Sequence, residues 1–142
     1  MISRVLIVCV GNICRSPLAE RILKMRRPDL SVSSSGLAAL QGSSADPVVC
    51  DVARKRGIEL EGHVARQFTP SVAKEQDLVL VMEPGHRREI GVLAPQLLGR
   101  TMLFDHWTGA IGIADPYRRS RDQHEAVFAL ILTAAEEWAR RL

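Results

Sequence analysis

Val5-Leu6-Ile7-Val8-Cys9-Val10-Gly11-Asn12-Ile13-Cys14-Arg15-Ser16-Pro17-Leu18 is the stretch that decides the fold. Its first four residues form an apolar run suited to a strand buried on both faces. A short polar loop follows. Pro17 then suits the first position of a helix, because its φ is fixed and its missing N–H is not needed there. Ser16 stands where an N-cap belongs. Leu18, Ile22 and Leu23 share one helical face, and Glu20, Arg21 and Lys24 fall outside it. A strand, a tight loop and a helix N-terminus make an anion site. Unpaired N–H groups converge there, and the helix dipole adds positive potential.

Cys9 and Arg15 frame this loop with five residues between them. The spacing lets the chain curl into a cradle with a sulfur at its base and a guanidinium at its rim. The arginine fork matches phosphate oxygens bidentately. The same positive field favours thiolate over thiol, which marks Cys9 as a nucleophile. Gly11 and Asn12 tolerate the left-handed backbone angles that a tight cradle needs. The G-x-x-x-x-G-K-[ST] pattern of nucleotide-binding loops is absent. Two blander readings compete: a buried structural thiol at Cys9, and a zinc site using Cys9, Cys14, Cys50 and His63. The zinc spacing is poor, and Arg15 would repel a cation. No metal and no cofactor are expected.

The rest of the chain sets limits. A length of 142 residues suits one domain, residues 1–142, with a sizeable core. The net charge of +3 is too weak to argue for nucleic acid, and no aromatic-and-basic face supports it. No stretch has the length and apolarity to cross a membrane, and the first ten residues lack a signal-peptide pattern. Three cysteines, two of them in one short loop, do not make a disulfide framework, so a reducing cytoplasm fits.

Further elements follow in order. Residues 30–34 read as a second strand. Asp46-Pro47 reads as an N-cap and first helical residue, with Val48, Val49, Val52 and Ala53 as a stripe. Cys50 falls on its apolar side. Arg54, Lys55 and Arg56 then sit in the last turn, and Gly57 is the stop. Thr69-Pro70 opens a brief helix. Residues 78–82 form a third, fully apolar strand, residues 83–93 a helix ended by Pro95, and residues 101–104 a fourth strand. Residues 105–114 read as loop. From about Arg121 the chain is helical, with Val127, Leu130, Ile131, Ala134, Ala135, Trp138 and Leu142 on one face. Alternating strands and helices imply an α/β fold with a parallel sheet covered on both faces.

Residues 8–17, Val8-Cys9 through Ser16-Pro17, resemble the phosphate loop of the low-molecular-weight protein tyrosine phosphatases. Gly62-His63-Val64-Ala65-Arg66-Gln67, Leu103-Phe104-Asp105-His106-Trp107 and Asp115-Pro116-Tyr117-Arg118-Arg119-Ser120 extend the likeness over nearly the whole chain. They resemble most the bacterial branch linked to capsule and exopolysaccharide export. The resemblance implies a flavodoxin-like three-layer sandwich with a four-stranded parallel sheet in the order 2-1-3-4. The loop would then lie at the switch point between strands 1 and 3, where ligands bind.

The same resemblance implies the site. Cys9, Arg15 and Asp115 are catalytic, and Val10, Gly11, Asn12, Ile13, Cys14 and Arg15 bind phosphate. Asn12, Ser16, Ser34 and His63 hold the loop in shape. Ile13, Leu40 and Tyr117 line the substrate pocket, with Leu37 or Leu40 standing where other members carry Trp. On its own, Asp115-Pro116 is only a turn signal. Cys14 is close enough in sequence to reach Cys9 on oxidation. His86, His106 and His124 have no assigned role. Arg118, Arg119 and Arg121 are either a solvated charge run or a lure for acidic phosphopeptides. The expected partner is a tyrosine-phosphorylated protein, an autophosphorylating bacterial kinase in particular, met by a monomer. Three rivals share the loop. Arsenate reductases need a further redox cysteine pair, absent from residues 73–100. Protein-arginine phosphatases carry Thr where this chain has Ile13. A non-enzymatic phosphotyrosine-binding module is disfavoured by an intact Cys9, Arg15 and Asp115.

Overall fold

The apolar run at residues 5–8 lies at the centre of the sheet. The computed structural model describes all residues, Met1–Leu142. Strands β1 (Arg4–Cys9), β2 (Ser31–Gly36), β3 (Leu78–Val81) and β4 (Thr101–Leu103) form one parallel sheet in the order β2-β1-β3-β4, as expected. Helices are α1 (Arg15–Arg26), α2 (Pro47–Arg54), α3 (Pro70–Ala73), α4 (Pro84–Leu93) and α5 (Arg121–Arg141). None of them is long and apolar enough to cross a membrane.

Alternation along β1 and β3 divides the core in two. Val5, Ile7, Leu78 and Leu80 face a cluster completed by α1, α2 and α5, including Leu18, Val52 and Ile131. Leu6, Val8, Val79 and Val81 face the opposite cluster, with Phe68, Ile90 and Leu97. Each fully buried aliphatic side chain contributes ~1.5–3 kcal/mol relative to exposure. Strands with two such faces have little freedom to slip in register. The result fixes the C-terminal end of β1, where the chain leaves the sheet at Cys9.

Caps placed from sequence hold at two helices. The Asp46 carboxylate accepts from the N–H groups of Val48 and Val49, and the Thr69 hydroxyl accepts from that of Val72. Ser16 is a correction. Helix α1 begins two residues earlier than expected, its N-cap is Cys14, and no side chain caps it. The Ser16 hydroxyl faces Cys9 and Asn12 instead.

Four smaller expectations also change. Glu20 is buried and accepts from Lys24 Nζ at 3.0 Å. Helix α2 ends at Arg54, and Arg56 reaches away over the Phe128 ring, 4.8 Å from its centroid. Pro95 does not merely end α4 but starts a 3-10 turn, Pro95–Arg100. Leu130 is 53% exposed. It precedes Ile131 by one residue and is turned ~100° from it. His124 and Phe128 complete the buried face of α5 in its place.

Candidate active site

Beyond β1 the backbone turns through residues 10–14 before entering α1. Every carbonyl of this passage is tied outward. Those of Cys9, Val10 and Gly11 accept from the N–H groups of Leu37, Ala38 and Leu40; those of Ile13 and Cys14 accept from Asp46 and Leu18. The Asn12 carbonyl meets His63 Nε2 at 2.6 Å. Because a carbonyl only accepts, Nε2 must carry the proton. By contrast, none of the five N–H groups of residues 10–14 donates to another group of the protein. Unpaired N–H groups at a buried site are costly, and an anion satisfies several at once.

Asn12 is the knot of this loop. It is fully buried with φ 58, the left-handed angle that its residue type tolerates. Its Nδ2 donates to Ser16 Oγ (2.8 Å) and Ser34 Oγ (3.0 Å), and its Oδ1 accepts from the Arg66 N–H (2.9 Å). Ser16 Oγ lies 2.9 Å from Cys9 Sγ, so its proton is free to point at the sulfur. The four loop-supporting residues expected from sequence are therefore in one network. Arg66, Gln67 and Gly36 were not anticipated. Gln67 holds the 37–40 segment through the Ala39 N–H (2.9 Å) and the Leu37 carbonyl (2.8 Å).

Gly36 passes so close to the loop that an added Cβ would lie 2.3 Å from the Val10 carbonyl oxygen. Gly36→Ala should therefore cost about 1–3 kcal/mol, as overpacking does, and lower the melting temperature by roughly 5 °C. Phosphate affinity should fall as well, because the displaced carbonyl belongs to the cradle. Calorimetry with and without phosphate checks both, and an unchanged protein would show that the close approach has no consequence.

Arg15 closes the cradle. Its side chain is 1% exposed. Nη1 donates to Glu83 Oε2 (2.6 Å) and to the Ile113 carbonyl (2.7 Å), while Nε is buried without a partner. One edge of the guanidinium is thus anchored and the other is open. Asp115 lies beside that open edge, with Oδ2 3.6 Å from Nη2, and its Oδ1 accepts from the Tyr117 N–H at 3.0 Å. A pocket of about 160 Å³ holds Cys9, Arg15, Asp115, Ile13, Leu40 and Tyr117 together. One water needs only ~10–15 Å³ on that measure, so a polyatomic ligand fits. Leu40 supplies the wall, whereas Leu37 turns into the second core cluster.

Residues 4–142 match the sequence model of the low molecular weight phosphotyrosine protein phosphatases. The chain belongs to that family. It is 47% identical over its whole length, and over 95% of the relative, to the low molecular weight protein-tyrosine-phosphatase Wzb of Salmonella typhimurium. The crystal structure of the tyrosine phosphatase AmsI of Erwinia amylovora superposes with a TM-score of 0.97 at 44% identity, covering 100% of this chain and 94% of that one. The tyrosine phosphatase Wzb of Escherichia coli K30, in complex with sulphate, gives 0.98 at 41% identity and covers 99% of both chains.

For a cysteine-based phosphatase of this family, the remaining titratable groups are placed informatively. Burial, then the nearby Asp46 and Asp115 carboxylates and Cys9, push the Cys14 thiol well up against the opposing pull of Arg15. Cys14 therefore stays protonated at neutral pH and does not compete as a nucleophile. Burial, then the Arg15 charge, lower His86 below its ordinary value. At neutral pH its Nε2 contact with Glu83, 3.4 Å, is not an ion pair, and Glu83 is left to Arg15. His124 is buried and lines, with Pro116 of the Asp115 loop, a small apolar cavity. No three His, Cys, Asp or Glu side chains converge to hold a metal ion.

Glu83, like Arg66, Gln67 and Gly36, is a part of the site's framework that sequence reading missed. It read as the acidic start of a helix, yet its carboxylate turns to a residue 68 positions away. Arg15→Lys should lower kcat/KM for an aryl phosphate by about 10²–10³-fold, the cost of one lost transition-state donor. A point charge cannot keep Glu83 and Ile113 while also presenting a planar edge. Near-normal efficiency in that variant would show that the fork is dispensable.

Proposed function

We propose that this chain hydrolyses protein phosphotyrosine through a phosphocysteine formed on Cys9. The carrying observation is the loop itself: five free N–H groups and the open edge of Arg15 around a sulfur that no other cysteine pairs with. In the first step the Cys9 thiolate attacks phosphorus. The S–P bond forms as the P–O bond to the ring breaks, and Asp115 gives its proton to the leaving phenolate. The loop N–H groups and Arg15 hold the three equatorial oxygens, where transition-state charge collects. In the second step Asp115 takes a proton from water. That water attacks phosphorus, the S–P bond breaks, and phosphate and thiolate are released. Ser16 supports the thiolate by donating to it.

Pocket shape supports the aryl ester. Ile13 offers an apolar rim to a flat ring, and Tyr117 flanks it. Ile13 cannot accept from a guanidinium, so phosphoarginine would leave donors unpaired. Phosphoserine is too short to bring its phosphate to the base of the pocket. An autophosphorylated bacterial tyrosine kinase of polysaccharide export is the proposed target, supported by full-length likeness to Wzb and AmsI. Competition kinetics with matched phosphopeptides test the substrate class. Phosphotyrosine should be preferred over phosphoserine, phosphothreonine and phosphoarginine, and Ile13→Thr should narrow the gap to phosphoarginine. A wild-type preference for phosphoarginine would overturn the substrate while leaving the cysteine chemistry intact.

A further inference from the structure

The turn after Asp115 carries an unexpected residue. The Arg119 N–H donates to the Pro116 carbonyl at 2.9 Å, closing a four-residue turn. Its third residue, Arg118, has φ 62, whereas its second, Tyr117, has negative φ. A turn of this shape favours glycine or asparagine at that third position, because the left-handed angle brings a Cβ against the backbone. Arginine is a poor choice for the turn, so its side chain is where an explanation should lie.

That side chain is exposed, and its guanidinium rests over the Tyr117 ring, 5.1 Å from the centroid. Tyr117 is itself a wall of the catalytic pocket. Neighbouring Arg121 spends its charge on Asp51 of α2 and Glu125 of α5. The Arg118 guanidinium has no carboxylate within ion-pairing distance and no hydrogen-bond acceptor, and the same holds for the Arg119 guanidinium. The ring contact restricts the guanidinium to the pocket rim before any substrate arrives, so less freedom is lost on forming a fork with a carboxylate.

We propose that Arg118 is a specificity-determining residue that pairs with an aspartate or glutamate flanking the phosphotyrosine of a protein substrate. This rests on the phosphotyrosine reading and adds to it the charge of the preferred sequence. The phosphate enters the cradle, the ring lies along Tyr117, and the flanking carboxylate meets the cation held above that ring. Tyr117 thereby both lines the pocket and positions the residue that reads the flank.

The test uses two phosphotyrosine peptides identical except that the residues flanking the phosphotyrosine are acidic in one and uncharged in the other. The readout is the ratio of their kcat/KM values within each protein, which cancels any change in the pocket itself. Wild type should favour the acidic peptide by about tenfold at low salt, the ratio shrinking as salt screens the pair. Arg118→Gly, which fits the left-handed angle without strain, should bring the ratio to within about twofold, and Arg118→Glu should invert it. A wild-type ratio near one, or a ratio retained in Arg118→Gly and lost in Arg119→Gly, would overturn the assignment. Failure to hydrolyse either peptide would instead strike at the phosphotyrosine reading, so the two failures are distinguishable.

Discussion

Cys9→Ser should lose about 10⁴-fold or more in kcat/KM toward an aryl phosphate, the scale on which removal of a covalent nucleophile is felt. Such a loss corresponds to ~5.4 kcal/mol of transition-state stabilisation. The substitution keeps a polar atom of similar reach opposite Ser16, but a hydroxyl is scarcely ionised at neutral pH, and in the first step Asp115 carries the proton it gives to the leaving group and is not free to take one from that hydroxyl. Phosphate binding should persist. It depends on the free N–H groups of residues 10–14 and on Arg15, and both are held by partners that the substitution does not touch. Steady-state kinetics and phosphate titration read the two properties separately. Wild-type-like turnover would remove Cys9 from the chemistry.

Asp115→Asn should slow the first step by about 10²–10⁴-fold, the range for a positioned acid or base. The loss should depend on the leaving group. A phenolate that leaves poorly needs the proton, whereas one that leaves readily does not, so the deficit should shrink as the leaving group improves. A uniform deficit would point away from proton donation and to a role of the negative charge beside Arg15, because the amide oxygen of the variant still accepts from the Tyr117 N–H and keeps the turn. The distances distinguish Asp115 from Glu83. Both approach Arg15, but Glu83 bonds it at 2.6 Å while Asp115 stands off at 3.6 Å beside the open edge. Of the two, only Asp115 lines the pocket.

The central architecture was legible because it rests on local signals. A four-residue apolar run, a loop tolerant of left-handed angles and a proline at a helix start are read without knowing what lies nearby. The same is true of Asp46-Pro47 and Thr69-Pro70, where a side chain caps N–H groups two or three residues on. Ser16 was read both as a cap and as a support of the loop; only the second holds, because Cys9 and Asn12 engage its hydroxyl and the helix starts without a side-chain cap. What stayed hidden depends on pairs far apart in the chain. Glu83 has the chemistry of a first-turn acid, but it serves Arg15. Gly36 lies just past the strand read at residues 30–34 and carries no local signal; its requirement comes from a carbonyl 26 positions earlier in the chain. Leu130 was misplaced by a different route, since an unbroken apolar stretch on α5 offers two adjacent stripes and only packing chooses between them.

The covalent intermediate is the claim on which the rest depends. The direct measurement is acid quenching of the protein during turnover of a reactive aryl phosphate, followed by mapping of any bound phosphoryl group by mass spectrometry. The Asp115→Asn variant is the suitable protein, because a good leaving group still forms the intermediate while loss of the base slows its hydrolysis. The account predicts one phosphoryl group, on Cys9 and on no other residue, disappearing as free phosphate is released. A phosphoryl group on a different side chain, or continued turnover with Cys9 never modified, would contradict it.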